Sequence, residues 1–249
     1  MSALDILQGK TLLIVDDEPD LRGPLATNFE LLGCRVFQAG NGRDAFALVN
    51  REKIDAVISD IRMPGGDGIE LLERIKERNH EFPVMMLITG FSDLSREDAY
   101  HLGAEAILAK PFDLDELEQA VARILTRREE LWRRPVDSSL LKKTIAQEFT
   151  DLSAALARGQ LKLGRGGLFV HLPESHAAIG DWVALRIVFT SGECLVIEGA
   201  GVIRWVRLEE AHGLPRGCGI EFESLGEETR RQILQITTAT PLRPFIPKG

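Results

Sequence analysis

The 249 residues are 44% hydrophobic and 27% charged, with a formal net charge of −8, the balance of a water-soluble globular chain long enough for two ordinary domains. No apolar run approaches the roughly 18 residues that span a bilayer, the first ten residues carry no secretory pattern, and Cys34, Cys194 and Cys218 lie too far apart for a disulfide frame or a zinc site, so a cytoplasmic, membrane-free protein is expected. Charge is shared unevenly: residues 1–122 hold 12 Lys and Arg against 23 Asp and Glu, and residues 123–249 hold 18 against 15, which argues for two domains and gives the second little of a nucleic-acid footprint.

Thr11–Val15 reads as a buried strand running into Asp16-Asp17-Glu18. Pro19-Asp20 opens a helix to about Gly33, with acids at its positive end and a kink or delay expected at Gly23-Pro24. Arg35–Ala39 is a second strand and Gly42–Lys53 a second helix. The third strand, Asp55–Asp60, ends on one carboxylate, and Met63-Pro64-Gly65-Gly66 turns the chain at once. Next come a helix over Gly68–Asn79 and a strand over Pro83–Ile88, ending at Thr89-Gly90. A helix over Ser92–Leu102 leads to a fifth strand, Ala106–Ala109, which ends at Lys110-Pro111, and Asp113 caps the last helix. Strands alternating with helices imply an α/β doubly wound domain with a five-stranded parallel sheet. Its carboxyl edge would gather Asp16, Asp17, Asp60, Thr89 and Lys110.

Three carboxylates about 4 Å apart repel by roughly 4 kcal/mol per pair at an effective dielectric near 20, so a cation belongs among them. Hard oxygen donors without His or Cys favour Mg²⁺, and Lys110 adds a fixed positive charge. A carboxylate so placed can attack a phosphoryl group, with Lys110 and the Thr89 hydroxyl holding its oxygens. Taken singly, Lys110 reads as well as a surface lysine and Thr89 as a strand-end cap; the combination with the aspartates favours the site.

Asp16-Asp17, Asp60-x-x-Met63-Pro64-Gly65-x-Asp67-Gly68, Thr89-Gly90 and Lys110-Pro111-Phe112 resemble the receiver domain of two-component response regulators, over about residues 9–126. The resemblance implies that Asp60 accepts phosphate from a histidine kinase. It further implies Mg²⁺ held by Asp17, with Asp16 behind it, by Asp60 and by the backbone carbonyl of Arg62, and a phosphoryl group sensed by Thr89 and Lys110. Where the family carries a switch aromatic this chain has Ile107, with no ring to swing inward, so the readout is expected to differ while phosphorylation is kept. The Gly23-Pro24 pair lies where partners often touch receivers, and kinase recognition is expected to be unusual.

Leu114, Leu117, Val121, Ile124 and Leu131 keep helical spacing, so the last receiver helix is expected to continue to Arg134, where Pro135 stops it. A second helix is expected over Ser138–Arg158, with the stripe Leu141, Ile145, Phe149, Leu152 and Leu156 and Gly159 as its stop. That stripe either covers the next domain's core or drives self-association into a homo-oligomer. Residues 127–159 are thus read as a helical linker.

From Gln160 the pattern changes to period two. Strands are expected at Leu161–Leu163, Gly167–His171, Trp182–Phe189, Cys194–Glu198, Gly201–Arg207 and Gly217–Phe222, forming a small antiparallel β-barrel, with a C-terminal helix over Glu227–Ile236. The proline-rich tail, 241–249, cannot continue that helix and is expected to be extended or loose. Gly166–Val170, Val202–Val206, Gly219–Phe222 and the closing helix resemble the PilZ domain over about residues 160–237, and the domain is drawn at 160–240. The family often binds cyclic di-GMP through an upstream Arg-x-x-x-Arg and an Asp/Asn-x-Ser-x-x-Gly. Here the second motif falls on Lys162–Gly167, where Lys replaces the acid and Gly the serine, and no Arg-x-x-x-Arg lies where the barrel should begin; Arg123 and Arg127 have that spacing but sit in the receiver's last helix. Lys162 and Arg165 are left as a residual anion site, without the two-pronged grip of paired guanidinium groups. His171, His176 and His212 are scattered and read as ordinary polar positions. Arg204 and Arg207 flank Trp205 on alternating strand faces, so the three are not expected to share a site.

The leading reading is a non-enzymatic switch: a receiver phosphorylated on Asp60, passing its state through linker helices to a PilZ-like module that acts on a protein partner or on assembly, without cyclic di-GMP. The alternative is a dual-input effector that also binds the dinucleotide. A phosphatase lacks an additional acid/base pair after Asp60, and no helix-turn-helix pattern supports DNA binding.

Overall fold

Leu12, Leu13, Ile14 and Val15 are too apolar to stay in water and too short a run for a stable helix, and they form the second strand from the edge of a parallel sheet. The computed structural model describes residues 2–90, 94–172, 178–191, 196–211, 213–239 and 242–248. It divides into two compact units, Met1–Arg127 and Arg128–Gly249.

The first unit runs α1 (Ala3–Leu7), β1 (Thr11–Val15), α2 (Pro19–Leu31), β2 (Arg35–Ala39), α3 (Gly42–Arg51), β3 (Ala56–Asp60), α4 (Gly68–Arg78), β4 (Val84–Thr89), α5 (Arg96–Leu102), β5 (Ala106–Ala109) and α6 (Leu114–Leu125). The five strands are parallel, in the order β2-β1-β3-β4-β5, a doubly wound sheet whose order reverses between β1 and β3. Alternate residues feed two cores. Leu12, Ile14, Ile58, Met86 and Ile88 pack with Phe29 of α2 and Leu117 and Val121 of α6; Leu13, Val15, Val57, Met85 and Leu87 pack with Leu71, Leu72 and Ile75 of α4. The helix at α1 was not expected; a Ser2–Asp5 capping box starts it and its Leu7 is wholly buried. Pro24 lies inside α2 without ending it. α5 starts at Arg96, capped by Ser95; the expected start, Ser92, lies outside the described residues.

The expected continuation of the last receiver helix to Arg134 does not occur. Thr126 is extended (φ −70°, ψ 131°) and its hydroxyl donates to the Ala122 carbonyl at 2.9 Å. The next turn, α7 (Arg128–Leu131), belongs to the second unit. There Leu131 and Trp132 are buried, Trp132 edge-on to Phe222 with ring centroids 5.6 Å apart. The apolar residues that seemed to prolong the helical stripe are claimed by the second core.

That unit continues through a 3-10 turn (Ser138–Leu140), β6 (Lys143–Phe149), α8 (Leu152–Ala157), β7 (Leu161–Leu163), β8 (Gly167–His171), β9 (Trp182–Phe189), β10 (Val196–Arg207), β11 (Gly217–Leu225) and α9 (Glu227–Ala239). The sheet order is β6-β9-β10-β11-β8-β7. The small β-domain with its closing helix is as expected, antiparallel at β9-β10-β11-β8-β7; the sheet is mixed because β6 joins β9 in parallel. β6 replaces the helix expected over Ser138–Arg158, so the helical linker and its self-association stripe are corrected. The cause is a degeneracy of spacing: residues four apart share a face in a helix and in a strand alike. Ile145 and Phe149 face inward from a strand, Phe149 stacking on Phe189 at 5.7 Å, and Gln147 between them donates to the His171 carbonyl at 2.8 Å. Leu152 packs on the core from α8, while Leu141 is half-buried and Leu156 exposed.

The two strands expected over Cys194–Glu198 and Gly201–Arg207 are one strand, β10; Cys194, Leu195, His176, His212 and the tail's Pro241 lie outside the described residues. Within the described tail residues, 242–248, Phe245 and Ile246 are buried and not loose. Among the described residues no helix is long and apolar enough to cross a membrane.

Candidate functional site

β1, β3, β4 and β5 all stop along one edge of the first sheet, and each delivers a side chain there. Asp16 follows β1, Asp60 ends β3, Thr89 ends β4 and Lys110 follows β5. Asp16 and Asp60 are 4% and 8% exposed, a burial that carboxylates tolerate only with partners. The Lys110 ammonium supplies one: Nζ is 2.5 Å from Asp60 Oδ1 and 3.6 Å from Asp16 Oδ2. The remaining oxygens take backbone donors, Arg62 N–H to Asp60 Oδ2 and Glu18 N–H to Asp16 Oδ1, both at 2.8 Å. Burial pulls the Lys110 pKa down, but the hydrogen bond and attraction from Asp60, then those from Asp16, outweigh it and hold the value above the ordinary 10.5.

The sheet and loops hold the acids in place. Ser59 Oγ donates to the Asp60 carbonyl at 2.8 Å, and Arg22 of α2 donates to the Asp16 carbonyl, a brace that spacing alone did not single out. Gly68, first residue of α4, packs so close to β3 that a Cβ there would lie 2.2 Å from the Asp60 carbonyl oxygen. Ahead of it, Gly65 and Gly66 adopt φ +83° and +122°, values a side chain would resist. The Thr89 hydroxyl donates to the Gly90 carbonyl at 2.7 Å. Asp17 and Arg62 are exposed, and Ile107 is half-buried against the α4 side of the sheet.

The structure therefore brings together Asp16, Asp60 and Lys110, with Asp17, Arg62 and Thr89 on the adjoining chain ends. Two buried carboxylates share one ammonium, and the side chains of this set able to ligate a cation, those of Asp16, Asp17, Asp60 and Thr89, offer hard oxygens, a setting that fits a divalent ion such as Mg²⁺. Among the described residues no three His, Cys, Asp or Glu side chains stand close enough to form a ready cage.

In the second unit, Lys162 is half-buried on β7 and Arg165 is 2% exposed. Arg165 is spent on the chain itself: its Nε donates to the Arg243 carbonyl at 3.2 Å, and its ring partner is Phe245. His171 sits at the end of β8 with Nδ1 2.7 Å from the Arg216 carbonyl. The alternation argument separating Arg204 from Trp205 and Arg207 fails, because the β10–β11 register shifts between Ile203 and Trp205 and a bulge turns both neighbours to one side. Arg204 holds Glu221 at 2.5 Å and Glu223 at 3.2 Å, while Arg207 lies over Trp205 and Phe169. All of these gather on the sheet face opposite the core.

A doubly wound sheet with paired acids and a lysine on its carboxyl edge, joined to a separate β domain, is the build of a modular signalling protein. A sequence model of the response regulator receiver domain matches residues 12–122, and one of the PilZ domain matches residues 136–239. The chain is 38% identical over 120 residues to sporulation initiation phosphotransferase F of Bacillus subtilis, covering 48% of this chain and 96% of that protein. It is 38% identical over 131 residues to response regulator protein PilR of Pseudomonas aeruginosa, 52% of this chain and 29% of that one. Identity with DNA-binding transcriptional regulator NtrC of Klebsiella pneumoniae is 39% over 229 residues, 80% of this chain and 48% of that one. The chain thus spans about half or less of the length of these last two. Among solved structures, response regulator protein TrrA of Thermotoga maritima in complex with Mg²⁺-BeF is 30% identical, with a TM-score of 0.43, over 47% of this chain and 98% of that one. The chain belongs to the response regulators: it is a receiver domain followed by a PilZ domain, both of regulatory families. The PilZ match starts at 136, so β6 and α8 belong to that domain and not to a linker.

Proposed function

We propose that the chain is a phosphorylation-driven switch in which Asp60 accepts a phosphoryl group from a histidine kinase and the PilZ domain passes the state to a protein partner. One observation carries this reading: two buried aspartates converge on one lysine at the carboxyl edge of the parallel sheet, with Lys110 Nζ 2.5 Å from Asp60. An Asp60 carboxylate oxygen attacks phosphorus, the phosphorus–nitrogen bond to the donor imidazole breaks with its electron pair left on nitrogen, and that nitrogen takes a proton from solvent water as the imidazole leaves. Lys110 moves from carboxylate to phosphoryl oxygen and neutralises charge that no longer resides on Asp60. The Thr89 hydroxyl, now donating to Gly90, is one residue beyond the β4 position paired with Asp60 and turns to the phosphoryl group. Asp16, Asp17, Asp60 and the Arg62 carbonyl would hold a Mg²⁺ ion, which would supply neutralisation of the phosphoryl charge. Ile107 replaces a swinging ring by a side chain without a polar tip, so the switch is read out by packing alone.

Cyclic di-GMP has no part in this reading: Arg165 is buried against the tail and the acid and serine of the nucleotide motif are absent. The test is labelling by acetyl phosphate with Mg²⁺, read by a phosphate-affinity gel. Wild type acquires label and Asp60→Asn does not; equal labelling of the two, or of neither, ends the proposal. Calorimetric titration with cyclic di-GMP is expected to show no heat, and micromolar binding would install the dual-input alternative.

A further inference from the structure

The sheet face of the PilZ domain opposite its core is covered by the chain's own last residues. Four donors from the domain aim at tail carbonyls: Arg165 N–H to Pro244 at 2.9 Å, Gly166 N–H to Phe245 at 3.0 Å, Arg165 Nε to Arg243 at 3.2 Å and Arg207 Nη2 to Lys248 at 2.8 Å. Pro244 and Pro247 have no N–H of their own, so a segment rich in acceptors and poor in donors meets a cradle rich in donors.

The side chains fit in the same way. Phe245 and Ile246 are 7% and 0% exposed. A Cβ on Gly166 would lie 2.1 Å from the Phe245 ring, and one on Gly164 2.4 Å from the Phe245 carbonyl oxygen. These glycines leave the floor of the groove free for an aromatic ring and a close backbone. Beside them Phe169 and Trp205 stack at 5.7 Å, with Arg207 over both rings. The Trp205 indole N–H is buried with no acceptor among the described residues, a donor still unspent on this face.

We infer that this face is a docking groove for extended, proline-flanked aromatic–aliphatic segments, and that Pro244-Phe245-Ile246-Pro247 of the same chain is its resident occupant. The inference deepens the reading of the PilZ domain as a protein-binding module and is independent of chemistry at Asp60. The tail already fills the floor over Gly164 and Gly166, so any partner that uses this face must first displace it. The tail thereby acts as a built-in competitor, set at high local concentration by its tether.

The probe is a fluorescein-labelled peptide of residues 240–249, titrated into the full chain and read by anisotropy. A full chain carrying Phe245→Ala and Ile246→Ala is expected to bind it at least about tenfold more tightly than wild type, and adding Gly166→Val to that chain is expected to remove the gain. A doubly substituted chain that keeps its far-ultraviolet dichroism and binds no better than wild type overturns the inference. Hydrogen exchange of unaltered wild type decides the matter should the substituted chain unfold. The Arg165 and Gly166 amides, bonded to the tail, are expected to exchange at least about tenfold faster than those of Ile220 and Phe222 in β11. Exchange of all four at one rate would make the tail a fixed part of the core.

Discussion

Lys110 Nζ and Asp60 Oδ1 lie 2.5 Å apart at the carboxyl edge of the receiver sheet, and Asp60 is 8% exposed. Removing the ammonium by Lys110→Met leaves Asp60 and Asp16 without their shared cation, and receiver stability is expected to fall by about 1–3 kcal/mol in urea unfolding at neutral pH. The Lys110 pKa lies above its ordinary 10.5 in the folded state. Its contribution is therefore fully present below that ordinary value and is lost as pH rises through the higher folded one. The stability gap between wild type and Lys110→Met should stay level from about pH 6 to 9 and close only in stronger base. A gap that varies across the neutral range would assign the effect to another group.

Gly68 carries no chemistry, yet it sets the distance between α4 and the strand that ends in Asp60. Gly68→Ala places a methyl 2.2 Å from the Asp60 carbonyl oxygen and should cost about 1–3 kcal/mol through displaced backbone. Labelling of Asp60 by acetyl phosphate is expected to drop with it. Unchanged stability and labelling would mean that α4 moves at little cost.

At the other end of the same sheet, Lys76 is wholly buried, with Nζ 2.8 Å from Glu105 Oε1 and 3.0 Å from the Pro83 carbonyl. Glu105 Oε2 also accepts from Met85 N–H at 2.6 Å. Glu105→Gln strands a buried charge and is expected to cost about 3–5 kcal/mol, whereas adding Lys76→Met to it removes that charge, leaves an amide oxygen to accept from Met85 N–H, and recovers most of the loss. Denaturant midpoints of the three chains check both halves.

Trp132 lies between the two family matches yet is 1% exposed in the PilZ core. Trp132→Ala is expected to destabilise the PilZ unit by about 3–5 kcal/mol while the receiver transition stays in place. Followed by separate reporters for the two units, equal shifts of both would contradict this assignment.

The receiver was legible almost in full from its residues. β1 stops where its apolar run meets Asp16, because a strand buried on both faces has nothing but apolar residues to show and charged or turn residues to end it; β2 and β5, which are only partly buried, also keep the bounds expected of them. Asp16, Asp60 and Lys110 were placed on one edge for the same reason: parallel strands end together. The short α1 was not legible, since five residues have no helical preference strong enough to stand out without the cover given to Leu7.

In the PilZ half, long-range pairing made the decisions. Leu141, Ile145 and Phe149 suit a helix and a strand equally by spacing, and a free edge on β9 settled the choice for β6, because backbone groups beside an open strand edge gain ladder bonds that a surface helix could not offer them. The shift in register at Arg204 brought Arg204, Trp205 and Arg207 to one face against simple alternation. Phe245 and Ile246 read as the end of a proline-broken tail, and only the folded sheet supplies the glycine floor and the four donors that hold them. Local pattern suffices where each residue's burial follows from its own strand; it fails where burial depends on which distant strand, or which end of the chain, arrives to cover it.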